Sequence, residues 1–270
     1  MRIDITHRTL YSYSGQVIHS AQYLRLTPPG NPSQLVVNWN IAAPGQLTAW
    51  TDAFGNACHT LVQQGPTTEI AIAAAGQVET TDTMGVLPIQ DGELPVEVFL
   101  RATPLTRAGA AVRDFAQPFA SGLRRDRLDG LHRLMTGIGR AVAYQTGHTH
   151  VHTTADDVLT DARGVCQDLA HVFIACCRHF AIPARYVSGY LYSGDGQGLS
   201  TAGHAWAAAW VEHLGWVSFD VTNAGCGTPR HVGVAVALDY AGAAPVRGVR
   251  HGGADGEGLD VTVHVAAAQQ

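Results

Sequence analysis

ARGVCQDLAHVFIACCRHFAIPARYVSGYLY, residues 162–192, holds a helix and a strand in immediate succession, with a cysteine where the helix begins. Cys166 to His179, apolar from Leu169 to Cys177 except at His171, predicts a mostly buried helix. Pro183 cannot continue that helix. The run that follows it is rich in β-branched and aromatic residues and predicts a strand. Downstream, HAWAAAWVEH (204–213) and GWVSFD (215–220) read as two further strands, joined tightly at His213-Leu214-Gly215. A helix followed by antiparallel strands specifies an α+β domain, unlike the alternating βα pattern of a doubly wound fold.

Working toward the N-terminus, Leu128, Leu131, Leu134, Ile138 and Val142 recur at helical spacing and predict a helix ending near Tyr144. Thr154 followed by Asp157 has the pattern of a capping box, starting a short helix that runs to about Asp161 before Gly164 interrupts it. Residues 1 to about 100 are different in kind. Short β segments such as IDITHRTLYSYS, QLVVNWNIAAPG and IAIAAAGQVET alternate with Pro-Pro-Gly, Pro-Gly and Phe-Gly-Asn, which predicts an antiparallel β domain. Three prolines and weak periodicity over residues 84–106 suggest a linker. The expected organisation is a β domain over 1–100 and an α+β core over 101–270 that closes with one last strand, DVTVHVAA (260–267).

Composition narrows the function classes. At 270 residues and 46% hydrophobic the chain can bury a substantial core. All 17 basic residues are arginine, the net charge is −5, and no basic cluster tracks a phosphate backbone, so nucleic acid is a poor partner. The N-terminal stretch lacks the apolar run of a signal peptide, and no segment approaches the roughly 18 apolar residues of a membrane span. The expectation is a cytoplasmic protein. Five cysteines (Cys58, Cys166, Cys176, Cys177, Cys226) cannot all pair within one chain and match no zinc ribbon.

Cys166 is placed for nucleophilic chemistry. At a helix start, unpaired backbone N–H groups and the positive end of the helix dipole favour thiolate over thiol, and the same N–H groups can receive an oxyanion. Cys176 and Cys177, further along the same helix, read as small buried hydrophobes. A thiolate also needs a proton partner. His204 opens a strand, and Asp220 closes the next; in a hairpin the two lie toward the same end of the ladder. With 14 histidines in the chain, spacing alone does not single out His204.

The segments ARGVCQDLAHVFIACCRHFAIPARYVSGYL, GHAWAAAWV and GWVSFDVTN resemble the three signature blocks of the transglutaminase-like superfamily. The resemblance implies a papain-like α+β core with Cys166 as nucleophile, His204 as general base and Asp220 as the carboxylate orienting it. The first hundred residues, with LRLTP and TDAFGN, resemble the β domain preceding this core in a bacterial branch of cysteine peptidases. Two departures stand out: Val221 replaces a proline, and Gly242 stands where the resembling chains carry an acidic residue. No cofactor is implied. The expected activity is hydrolysis of a peptide, isopeptide or other amide bond in a peptide or protein substrate, with homo-oligomers compatible. Transfer of a glutamine acyl group to an amine is the alternative within the same chemistry, and a peptide-binding module without catalysis is the alternative outside it.

Other residues have weaker assignments. Tyr144 and Gln167 are candidates for oxyanion or substrate contacts, Trp206 for shielding the His–Asp pair, and Asn223 for support of the site. Asp168, in the first turn after Cys166, reads as a helix-dipole partner that ion-pairs with Arg163 or Arg185. His171 lies about 140° round the helix from Cys166 and reads as a buried, hydrogen-bonded support. His148, His150 and His152 alternate, which would put three imidazoles on one face of an extended segment. They lack a companion ligand, and the expectation is a polar loop without metal.

Overall fold

The computed structural model describes residues 1–89, 92–194, 199–200, 203–254 and 256–268. Four strands come first: β1 (Arg2–Leu24), β2 (Gln34–Ala42), β3 (Gln46–Thr51) and β4 (Ala57–Thr80), followed by the short β5 (Val86–Leu87). Helices α1 (Ala110–Ala116), α2 (Ala120–Arg125) and α3 (Arg127–Ala141) lead to β6 (Ala143–Tyr144), α4 (Ala155–Asp161), β7 (Arg163–Gly164) and α5 (Cys166–His179). Then come β8 (Ala184–Leu191), β9 (Leu199–Ser200), β10 (His204–Val211), β11 (Gly215–Phe219), β12 (His231–Ala237), α6 (Tyr240–Ala243), β13 (Val246–Gly252) and β14 (Glu257–Ala267). The mixed α/β architecture with antiparallel sheets is the expected fold class.

The first sheet runs β2-β4-β1-β14-β9, with β13 beside β1 and β3 beside β4. Along β1, Ile3, Ile5, His7 and Thr9 are buried while Arg2, Asp4, Thr6 and Arg8 are exposed, the two-residue period of a half-covered strand. β1 changes partner between Tyr13 and Val17. Its first half pairs with β14 and its second with β13. The last strand therefore belongs to the first sheet, and the expectation that it closes the α+β core is corrected. Its alternating Val261, Val263 and Val265 supply the apolar face that β1 presents on the same side.

The second sheet has the order β12-β8-β10-β11-β5. The residues expected to be linker thus contribute an edge strand, Trp216 pairing with Leu87 and Val217 with Val86. Alternation decides what each face of β10 meets. Ala205, Ala207 and Ala209 join the cluster containing Leu169, Val172 and Phe173 of α5, where small side chains let helix and sheet approach closely. Trp206 and Ala208 face the other way, toward Phe99 and Trp216. Phe173 stacks on Phe219 at 4.9 Å between ring centroids, fixing α5 over the sheet.

The two sheets are joined. Ile3, Ile5, Val263 and Val265 of the first share a buried cluster with Tyr190, Val232 and Val234 of the second. Gln34 donates to the Gly233 carbonyl at 2.8 Å and accepts from the Gly233 N–H at 2.9 Å. Among the described residues, no helix is long and apolar enough to cross a membrane.

Candidate active site

Cys166 is the first residue of α5, and the turn before it is held from inside the helix. Asp168 Oδ2 accepts the Val165 N–H at 2.8 Å and the Thr149 hydroxyl at 2.7 Å. Gly164 makes this approach possible, because a Cβ there would lie 2.8 Å from the Asp168 Cβ. Asp168 is fully buried; burial pushes its carboxyl up, and the hydrogen bonds from Val165 and Thr149 oppose that shift. The expected ion pairs with Arg163 and Arg185 are absent: Arg185 Nη1 lies 3.5 Å from Glu93, and Arg163 donates to the Asp161 carbonyl. The two donors, one backbone and one hydroxyl, both meet Asp168 Oδ2, and Oδ1 is buried without a hydrogen-bond partner. The Asp168 and Leu169 N–H groups turn back to the Val165 carbonyl, so Cys166 and Gln167 supply the outward N–H groups of the first turn.

Parallel pairing of β6 with β7 sets Tyr144 opposite Gly164, two residues before Cys166. Tyr144 is 56% exposed, and α3 ends before it. Burial raises its phenol, and the charges of Cys166 and Asp168 push it further the same way.

His204 opens β10, and Asp220 follows β11. The hairpin register pairs Ala207 with Phe219, so Asp220 falls opposite Trp206, two positions along from His204. The ring bridges that offset: His204 Nε2 is 2.7 Å from Asp220 Oδ2. Nδ1 is thereby the ring nitrogen left to serve a thiol. Burial works against protonation of His204, yet hydrogen bonds and charge from Asp220 and Cys166 outweigh it and lift the imidazole to about 9. Burial likewise opposes charge on Asp220, and the hydrogen bonds from His204, His231 and Asn223 hold its carboxyl well below the usual range.

His231 was not legible as a site residue. Strands β10 and β12 flank β8, bringing His204 opposite Gly189 and His231 opposite Leu191 at the same end of the sheet. His231 Nε2 lies 3.0 Å from Asp220 Oδ2. The Thr228 N–H donates to His231 Nδ1 at 3.1 Å, so the ring proton sits on Nε2 and points at the carboxylate. Asn223 completes the set: its Nδ2 donates to Oδ2 at 2.6 Å and its backbone N–H to Oδ1 at 3.2 Å. Trp206, 6% exposed, lies 5.9 Å from His204 and 5.2 Å from His231 between ring centroids, covering the cluster. His204, Asp220 and His231 bring potential ligand atoms within 4.8 Å of one another. The proton that Thr228 fixes on His231 Nε2 makes that nitrogen a donor, and the group reads as one carboxylate receiving several N–H bonds.

His171 is fully buried, accepts the Tyr240 N–H at 3.0 Å on Nε2, and is neutral because burial lowers it to about 4. His148, His150 and His152 are exposed, His148 in a bend, His150 in irregular chain and His152 in a turn, and none lies in a strand.

The thiols are now distinguishable. Cys176 and Cys177 are fully buried, and burial raises the first to about 12 and the second well above its ordinary value. Burial and the Asp52 charge raise Cys58 to about 11. Iodoacetamide near neutral pH is therefore expected to alkylate Cys166 before any of these three. Peptide mapping by mass spectrometry reads the order, and Cys58 labelled ahead of Cys166 would contradict it.

Cys166 at the start of α5 and His204, bonded to the buried Asp220, line one cavity. Residues 113–221 match the family model of the transglutaminase-like superfamily, and residues 3–79 match that of the bacterial transglutaminase-like N-terminal region. The chain thus carries a transglutaminase-like core preceded by a bacterial transglutaminase-like N-terminal region. Uncharacterized proteins of Mycobacterium leprae and Mycobacterium tuberculosis are each 29% identical, over 98% of this chain and over 98% and 92% of their own. Among solved structures, a candidate cysteine protease from Cytophaga hutchinsonii superposes with a TM-score of 0.78 at 20% identity, covering 100% of this chain and 91% of its own. At that identity the likeness establishes the shared fold.

Proposed function

We propose that the protein is a thiol-dependent amide hydrolase acting on a peptide or protein substrate, with Cys166 as nucleophile, His204 as acid and base, and Asp220 as orienting carboxylate. The observation that carries this reading is the 2.7 Å contact of His204 Nε2 with a buried Asp220, which leaves Nδ1 for Cys166. Attack by the sulfur forms a tetrahedral intermediate whose oxyanion the Cys166 and Gln167 N–H groups receive, with the Tyr144 hydroxyl as a further donor. His204 protonates the leaving amine as the C–N bond breaks. Water, deprotonated by the same imidazole, then releases the acyl group from sulfur. His231 and Asn223 hold the carboxylate so that its free lone pairs face His204.

The test of the reaction is a panel of peptide amides incubated with and without a primary amine, with products separated by mass. Hydrolysed product in the presence of amine supports the proposal; conjugated product would assign the second half-reaction to transamidation.

A pH dependence follows. The thiolate–imidazolium pair requires a protonated His204, and this persists upward until pH passes about 9. The basic limb of kcat/KM is therefore expected near pH 9, well above the ordinary histidine value of about 6.5. The stability that protonated His204 contributes follows the same sign, complete below about pH 6.5 and lost as pH rises through about 9. A basic limb near 6.5 would remove His204 from the pair.

A further inference from the structure

A cavity of about 250 Å³ opens beside Cys166 and His204, and part of its wall comes from the other sheet. His7, Thr9 and Tyr11 of β1 line it, as do Leu259 and Val261 of β14. Thr9 pairs with Val261 and Tyr11 with Leu259, so these residues share one face of the ladder by the two-residue period. Tyr186, Tyr190 and Tyr240 form the wall on the core side. We propose that this cavity is a substrate subsite for a large uncharged apolar side chain, of the leucine or phenylalanine kind, on a residue next to the scissile amide. The inference rests on the proposed function and names the substrate class of that same site.

Its argument is the disposition of the polar groups in the wall. His7 is fully engaged, with Nδ1 2.9 Å from the Tyr190 hydroxyl and Nε2 3.1 Å from the Thr9 hydroxyl, and burial lowers it to about 4, so the ring is neutral. Ser188 donates its hydroxyl to the Ala243 carbonyl at 3.0 Å. Arg25 gives its Nε to Asp52 at 3.1 Å, so the cation in the wall is already neutralised. A carboxylate, ammonium or carboxamide entering here would leave its hydration and find His7, Ser188 and Arg25 already paired, in a wall otherwise made largely of tyrosine rings and aliphatic side chains; an apolar side chain would exchange water for aromatic and aliphatic carbon. The glutamine side chain required by a transglutaminase falls on the disfavoured side of that comparison. The cavity's continuity with Cys166 makes its occupant part of the reacting substrate.

The experiment measures kcat/KM for blocked peptide amides that differ only in the residue on either side of the scissile bond. In parallel, equilibrium binding of the same peptides to the Cys166→Ala protein is measured. At one of the two positions Leu and Phe are expected to exceed Gln, Asp and Lys by about 10²-fold in both measurements, the scale on which a pocket discriminates side chains. Val261→Glu should narrow that ratio and raise Lys relative to Leu. Leu259→Glu, at a position 59% exposed and therefore free of core disruption, should do the same. A preference for Gln or a charged residue at both positions, or an unchanged ratio in the folded Leu259→Glu protein, overturns the subsite. If the Cys166→Ala protein kept turning substrate over, the mechanism would fall while its binding preferences still judged the subsite.

Discussion

Replacing Cys166 with alanine is expected to lower turnover of any amide substrate by about 10⁴-fold or more, the scale of losing a nucleophile while oxyanion donors and binding groups remain. The substitution is structurally mild. Cys166 is only partly buried at the first position of α5, and alanine is a good helix former there, so unfolding by urea should give a midpoint close to that of the parent. A second readout separates chemistry from packing. Part of what lifts His204 to about 9 is its hydrogen bond to Cys166 and the charge on that sulfur. With alanine in place, the imidazole should titrate lower, and NMR of the His204 ring would show it. Substantial residual turnover in a folded Cys166→Ala protein would end the nucleophile assignment.

Much of the core was legible because its signals are local. The apolar run from Leu169 to Cys177 could only be a buried helix, and Pro183 fixed where it stopped. The Thr154–Asp157 capping box forms as its residue types require, the Asp157 N–H donating to the Thr154 hydroxyl and the Thr154 N–H to the Asp157 carboxylate. What escaped is non-local. β14 carries the same alternating pattern in either sheet, and only its register with β1 across nearly the whole chain decides where it goes. Val86 and Leu87 are too short a pair to announce a strand and gain that role from Trp216 and Val217. The hairpin residues placed His204 and Asp220 within reach of each other, whereas His231 depended on the strand order β12-β8-β10, which no motif encodes. Gly242 shows the same limit. A Cβ there would meet the Ala237 Cβ at 2.7 Å, so the missing side chain is matched by a neighbour that fills its space.

The donors around Asp220 set the expected result of Asp220→Asn. Three N–H groups, from His204, His231 and the Asn223 side chain, converge on Oδ2, while Oδ1 receives only the Asn223 backbone N–H at 3.2 Å. An asparagine has one acceptor and one donor at its end, and placing its oxygen at the Oδ2 position keeps all three convergent bonds at the cost of the single long one. That orientation preserves the His204 tautomer, so the substitution removes charge while geometry survives. Burial then pushes His204 down without the full Asp220 charge to oppose it, and the basic limb should move below about 9. Turnover at neutral pH should fall by about 10²-fold, since imidazolium stabilisation is weakened while nucleophile and oxyanion donors persist. Asp220→Ala removes the acceptor altogether and leaves the three donors unpaired around a buried space, and it should cost about 10³- to 10⁴-fold together with a loss of stability. Measuring kcat/KM against pH for both variants tests this ordering. An asparagine variant as inactive as the alanine one, with its fold intact, would mean that the wrong tautomer forms and that His231 and Asn223 do not direct the amide.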